Sequence, residues 1–287
     1  MDQDARALDP LAVPESELGR GSPIPLVVVP DAEALVARFA ADLLAEYVAA
    51  RRAERAKVVF IVPVGPVGQF DLVARAANAE RVSLRDLVVI NMDEYLLADG
   101  RDWIPETDAL SFRRHMTAHF YDLLDPALAP PPEQRIVPHP ADLGAVPRAI
   151  ARWGGVDCCF AGVGVTGHLA FNEPPEPHEA PSLEAFRQLP TRVVRLSRET
   201  RIINAVNAAR GNLDRIPELA VTVGMREILE SRRVRVYMNR EYQCAIVRKM
   251  LHGPVTPRVP ASLLQGHPDV RVTIAAHVAR APEPELR

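Results

Sequence analysis

Gly162-Val163-Gly164-Val165-Thr166-Gly167-His168-Leu169-Ala170-Phe171-Asn172-Glu173-Pro174 gathers three glycines, an imidazole and a carboxylate into one short stretch. It follows Val156-Asp157-Cys158-Cys159-Phe160-Ala161, a short, bulky, mostly apolar run that reads as a buried strand. A glycine-rich turn at the carboxyl end of such a strand is where open α/β sheets place their ligands. A second cluster, Asn91-Met92-Asp93-Glu94-Tyr95, follows the run Asp86-Leu87-Val88-Val89-Ile90 in the same manner. Two strand ends carrying acid and base groups predict one shared site.

Outward from these stretches the same alternation repeats. Apolar runs at Leu26 to Val29, Val58 to Val62, Ala220 to Val223, Val234 to Tyr237 and Val270 to Ile274 predict further strands. Most are separated by segments of helical character, such as Phe112 to Leu124, Leu143 to Trp153 and Glu241 to Leu251. Pro30-Asp31 offers a cap ahead of Leu35, Phe39, Leu43 and Tyr47, which recur at helical spacing. The pattern is that of an α/β protein, a mostly parallel sheet with helices on both faces. Residues 1–25 are polar, hold Pro10, Pro14, Pro23 and Pro25, and read as an arm that lies on the surface or is disordered. Residues 26–287 show no repeat and no shift in composition, so a single domain is expected. Pro174 to about Pro190 breaks the alternation with a long proline-rich segment, a candidate lid or a surface insertion.

With 287 residues, 48% of them hydrophobic, the chain can bury a substantial core. A net charge of −3 gives no basic footprint for nucleic acid or an anionic membrane. No apolar run approaches the ~20 residues that span a bilayer, and the first residues lack the features of a signal peptide, so a cytoplasmic location is expected. Cys158, Cys159 and Cys244 form neither a disulfide framework nor a metal-ligand spacing. Of 34 basic residues only Lys57 and Lys249 are lysines, which leaves few candidates for a Schiff base.

His168 can shuttle protons near neutral pH if a carboxylate orients it, and Glu173, across a turn, can reach back to do so. Gly162, Gly164 and Gly167 let the backbone approach a ligand and present amides to an anionic oxygen. Of the adjacent pair Asp93 and Glu94, one should face the crevice and the other away. The loop Pro63-Val64-Gly65-Pro66-Val67-Gly68 holds the place of an anion cradle, but Pro66 lacks an amide proton and the valines lack hydroxyls. The remaining histidines are scattered without metal-like spacing.

Asn-Met-Asp-Glu-Tyr at 91–95, followed by a glycine-rich loop that ends Gly-His-Leu-Ala-Phe-Asn-Glu-Pro at 167–174, resembles the glucosamine-6-phosphate deaminase family. Ser111-Phe112, Thr200-Arg201 with Asn204, and Thr222-Val223-Gly224 extend the resemblance, which runs from about Leu26 to the end. It implies a modified doubly wound, Rossmann-like fold and conversion of an amino-sugar phosphate to a ketose phosphate with release of ammonia. No metal or organic cofactor is implied. The partner is a small sugar or amino sugar, and the resemblance leaves room for a homo-oligomer. Asp93 would move a proton between C2 and C1, and His168, oriented by Glu173, would open the sugar ring. Gly65, Glu94, Gly162, Gly164, Thr166, Gly167 and Arg201 would contribute to substrate binding.

The chain departs from the family at several points. Thr166 stands where the family has an aspartate, so Glu173 alone would serve the imidazole. The phosphate loop keeps one glycine and loses both hydroxyls, at Val64 and Val67. Val206 and Gln243 fall where a phosphate-gripping arginine and lysine are expected. Arg192 matches an effector-site arginine, whereas Val194 replaces its neighbouring lysine. Several losses of one kind point to a changed substrate, one that lacks the 6-phosphate or holds it differently, with Arg195, Arg198 and Arg201 as sources of replacement charge. A 6-phosphogluconolactonase-like hydrolase and a non-catalytic sugar sensor are the alternatives.

Overall fold

The computed structural model describes residues 9–283. Seven strands form one parallel sheet: β1 (Leu26–Val29), β2 (Val58–Val62), β3 (Leu87–Asn91), β5 (Arg135–Ile136), β6 (Cys158–Ala161), β9 (Val234–Met238) and β10 (Val270–Ala275), in the order β1-β10-β9-β6-β2-β3-β5. The remaining strands, β4 (Asp93–Tyr95), β7 (Arg192–Arg195) and β8 (Leu219–Thr222), make a small antiparallel sheet ordered β4-β8-β7. Helices α1 (Ala32–Arg52), α2 (Gln69–Ala79), α3 (Phe112–Met116), α4 (Ala145–Arg152), α5 (Leu183–Arg187), α6 (Arg198–Ala208), α7 (Met225–Leu229) and α8 (Gln243–His252) lie between them.

The near-continuous apolar runs are explained by burial on both faces. Along β2, Val58, Phe60 and Val62 enter one core while Val59 and Ile61 enter the other, and all five side chains are buried. A strand sandwiched this way cannot alternate with polar residues, which is why β2, β3 and β6 were readable as runs. Asp31 caps α1 by accepting from the Ala34 amide at 2.8 Å, and Leu35, Phe39, Leu43 and Tyr47 are buried one turn apart.

Three sequence expectations need amendment. Residues 219–222 do not join the main sheet; they pair antiparallel with β4 and with β7, whose half-buried Arg-Val-Val-Arg pattern carried no run to recognise. The helix expected over 112–124 is α3 continued by a π-helical turn, Thr117–Tyr121. The polar stretch before Leu26, over its described part, is docked on α8. Val13 O accepts from Arg248 Nε at 2.8 Å, the Gly19 amide donates to His252 Nε2 at 3.0 Å, and Ile24 is buried in the main core. Arg248 is fully buried and donates to four carbonyls: those of Val13, Cys244, Ala279 and Arg280. No described helix is long and apolar enough to cross a membrane.

From β2 the chain proceeds outward to β3 and β5, whereas from β6 it proceeds the other way to β9 and β10. The loops after β2 and β6 therefore part in opposite directions and leave a crevice at the carboxyl ends of the two strands.

Candidate active site

The crevice holds a cavity of about 280 Å³, close to the lower end of ligand pockets and of monosaccharide size. Its walls come from six places: the loop Pro63 to Val67 after β2, Asp93 and Tyr95 of β4, Leu110 and Phe112 at the start of α3, the loop after β6, α6, and the turn from β9 into α8.

Asp93 arrives there because the chain changes sheets at Met92. Asn91 closes β3 in the large sheet, Asp93 opens β4 opposite Thr222 in the small one, and Val223 N donates to Met92 O at 2.7 Å. Asp93 thus sits in the seam between the sheets and lines the cavity. Burial, reinforced by the charge of Glu94, pushes its carboxyl up to about 8. Glu94 turns the opposite way, as alternation requires, and is fully buried. It accepts from Ser111 Oγ and the Arg113 amide at 2.9 Å, the Tyr95 amide at 2.9 Å and the Phe112 amide at 3.1 Å. This carboxylate anchors the N-terminus of α3 and does not line the cavity, which corrects its assignment to substrate binding.

The loop after β6 is held by its own backbone and by β8. Gly164 N donates to His168 O at 3.0 Å and Gly167 N to Gly164 O at 2.9 Å. The Phe171 amide donates to Thr222 Oγ1, and Asn172 Nδ2 to Leu169 O and Val223 O. The ring of His168 lies over Gly164, where a Cβ would stand 2.0 Å from Nε2, so only glycine admits the imidazole. His168 Nδ1 lies 3.1 Å from Glu173 Oε2, 2.9 Å from Thr166 Oγ1 and 3.3 Å from Thr200 Oγ1. Burial alone would raise Glu173, but the imidazole's charge and hydrogen bonds from His168, Thr200 and Thr166 outweigh it and take the carboxyl down to about 2. Asp93, Gly65, Gly162, Gly164 and His168 all line the one cavity, and Glu173 and Thr166 stand behind the histidine.

Gly167 and Arg201 are not in the cavity wall. Gly167 takes a left-handed φ of 87° and packs on Val259, its carbonyl accepting from Ala261. Arg201 pairs with Glu218 at 3.2 Å, and Arg195 pairs with the same carboxylate. The segment 174–190 also stands apart from this cavity; Arg258 pins its backbone through Pro175 O, Pro177 O and Glu179 O.

In their place the structure brings in residues that the sequence reading passed over: Asn207, Asn239, Arg240 and Tyr242, beside Asn204. Asn204 Nδ2 donates to Tyr95 OH at 2.9 Å, tying α6 to β4. Beneath them a small third core, with Tyr95, Phe112, Phe171, Leu196 and Ala205, fixes α6 against the antiparallel sheet. Gln243 is buried and occupied, donating to Val163 O and accepting from the Arg240 amide, both at 2.7 Å. Arg240, at the carboxyl end of β9, is the one arginine or lysine lining the cavity among the described residues. A cation directly after a predicted strand was the signal available for it.

The chain is similar to the glucosamine-6-phosphate deaminase of Bacillus velezensis, with 31% identity over 73% of this chain and 80% of that one. It is 30% identical to that of Rhodopirellula baltica over 86% of this chain and 91% of the relative. Among solved structures, a monomeric glucosamine-6-phosphate deaminase superposes with a TM-score of 0.74 at 25% identity, covering 89% of this chain and 99% of the other. The 6-phosphogluconolactonase of Trypanosoma cruzi shares the fold, with a TM-score of 0.65 at 14% identity and coverage of 89% and 96%. No family model matches the chain. The seam that carries Asp93, the imidazole over Gly164 and these likenesses agree, and the chain belongs to the glucosamine-6-phosphate deaminase family.

Proposed function

We propose that this protein converts an amino sugar to a ketose with release of ammonia, and that its substrate depends little on a 6-phosphate. The observation that carries the reading is the pairing of Asp93, a carboxyl raised to about 8, with the His168–Glu173 pair in the wall of one cavity. His168 takes the proton of the anomeric hydroxyl and gives one to the ring oxygen, opening the ring. Asp93 then removes the C2 proton while the substrate's ammonium group passes one to the aldehyde oxygen O1, and Asp93 returns its proton to C1. An iminium is left at C2, where water replaces nitrogen and ammonia departs. A carboxyl poised near neutrality suits both halves of that transfer, because it must accept and then donate the same proton.

The altered substrate is supported by the rest of the cavity wall. Val64 and Val67 contribute no hydroxyl, Val206 does not line the cavity, and Gln243 is bound to the backbone. Among the described residues, Arg240 alone offers a guanidinium to the cavity. A buried phosphate dianion lacking several charge-assisted partners would be poorly compensated. The soluble, cytoplasmic setting expected from the sequence fits such a small polar substrate.

Ammonia release and ketose formation, measured over matched phosphorylated and unphosphorylated amino sugars, test the reading. Turnover with at most about a tenfold advantage for the phosphorylated member, less than one charged contact at full strength plus its neighbours would give, is expected. Tight, strongly phosphate-dependent binding with efficient turnover would overturn the altered-substrate part. Hydrolysis of a sugar lactone without ammonia release from any amino sugar would favour the hydrolase alternative, which needs no carboxylate over C2.

A further inference from the structure

Three oxygens converge on His168 Nδ1, and only one belongs to a carboxylate. Glu173 Oε2 stands at 3.1 Å, Thr166 Oγ1 at 2.9 Å and Thr200 Oγ1 at 3.3 Å. An ionised carboxylate only accepts, and a hydroxyl has one hydrogen to give. Thr166 Oγ1 donates to Glu173 Oε2 at 2.7 Å, which commits its hydroxyl hydrogen to the carboxylate and turns a lone pair toward Nδ1. Thr200 Oγ1 faces the same nitrogen at 3.3 Å and has lone pairs to offer it.

We infer that Thr166 and Thr200 are positioning residues that, with Glu173, hold His168 as its Nδ1–H tautomer and keep Nε2 free as the proton acceptor above Gly164. An unprotonated Nδ1 would face the lone pairs of Glu173 and Thr166 in a buried place, an arrangement that costs both hydrogen bonds and electrostatic repulsion. Were the hydroxyls absent, the ring would keep one partner at 3.1 Å and lose the two that fix its plane. Thr200 is 1% exposed, so its hydroxyl has no solvent to turn to.

The placement of Thr200 also links the histidine to the substrate wall. Thr200, Asn204 and Asn207 recur at helical spacing on α6, and Asn204 and Asn207 line the cavity. One face of one helix therefore holds the imidazole at its first turn and meets the sugar at its last. Ser197, whose hydroxyl accepts from the Thr200 amide at 3.1 Å, fixes where that first turn begins.

The inference rests on the proposed reaction only for its use in turnover, since the tautomer is a property of the free protein. The test is long-range ¹H–¹⁵N imidazole spectroscopy on ligand-free protein carrying ¹⁵N-histidine, with the His168 signals assigned by their loss in His168→Gln. The wild type and the Thr166→Ser/Thr200→Ser pair are expected to show Nδ1–H alone. Thr166→Val/Thr200→Val is expected to show both tautomers. A single Nδ1–H tautomer in the valine pair would overturn the inference; should that pair fail to fold, the single valine variants are read in the same way. In turnover, each valine should lower kcat about tenfold with KM within about twofold, and serine should restore it, as the loss of one hydrogen bond to a charged group implies. Absence of turnover on every amino sugar would fail the proposed reaction and leave the spectrum to decide this point.

Discussion

Two carboxylates stand near the same cavity, Asp93 in its wall and Glu173 behind His168, and their surroundings differ in kind. Asp93 lies in the seam between the sheets beside the buried Glu94 and accepts no side-chain hydrogen bond from the described residues; burial and a like charge push it up to about 8. Glu173 is also largely buried, yet the imidazole of His168 and the hydroxyl of Thr166 bind it, and it falls to about 2. Burial acts upward in both cases, so the donors decide the outcome. One carboxyl is left able to exchange its proton, and the other is fixed as an anion.

The largest expected effect breaks that contrast at Asp93. In Asp93→Asn, solvent-hydrogen exchange at C2 of the substrate should fall by about 10²–10⁴-fold, while calorimetric affinity changes little, because the amide keeps the shape and cannot accept the proton. Glu173→Gln should cost less, about 10–100-fold in kcat, because His168 remains in place. Equal losses in the two variants would show that the carboxylates do not divide the work.

Stability against pH sharpens the contrast, since the two groups must act with opposite sign. The folded-state carboxyl of Asp93 is raised from 3.8 to about 8, so across that window the folded protein binds more protons than the unfolded chain and loses stability as pH rises. The thermal midpoint of Asp93→Asn should match wild type near pH 4, gain on it up to about pH 8 and hold the gain above. Glu173 is lowered from 4.5 to about 2, so its contribution is present above the higher value and disappears as pH falls toward the lower. Glu173→Gln should be less stable than wild type at pH 7, on the order of 3 kcal/mol at most, with the gap closing by pH 2.

The smallest effect concerns Arg240, in the wall of the same cavity. Arg240→Ala should weaken a phosphorylated amino sugar by about tenfold and leave its unphosphorylated counterpart within about twofold, as read by calorimetry.

The main sheet was legible because its strands are buried on both faces and thus spell out their burial in unbroken apolar runs, as β2 and β3 do. The small sheet was not: β4 is three residues long, and β7 begins and ends on arginine. The same asymmetry governs the site. Asp93, His168 and Glu173 stand directly after legible strands, and the sequence pointed to them together. Asn207, Arg240 and Tyr242 reach the cavity from α6 and the β9–α8 turn, and no local pattern reports that those elements meet. Glu94 was misjudged for a related reason, since its donors, Ser111 to Arg113, lie some way along the chain. The proline-rich segment at 174–190, a candidate lid or a surface insertion by sequence, has its backbone held by Arg258 through three carbonyls.

The buried guanidinium of Arg248 has a topological consequence. It reaches Val13, Ala279 and Arg280 at once, so the first and last described segments come within on the order of 8 Å of each other, two hydrogen bonds and the width of one guanidinium. Over the described residues, the path of the chain therefore almost closes on itself. A short linker from residue 283 to residue 9, with new ends opened between the exposed Pro177 and Pro181, would give a circular permutant in which every strand keeps its neighbours and the loop after β6 keeps its anchor on β8.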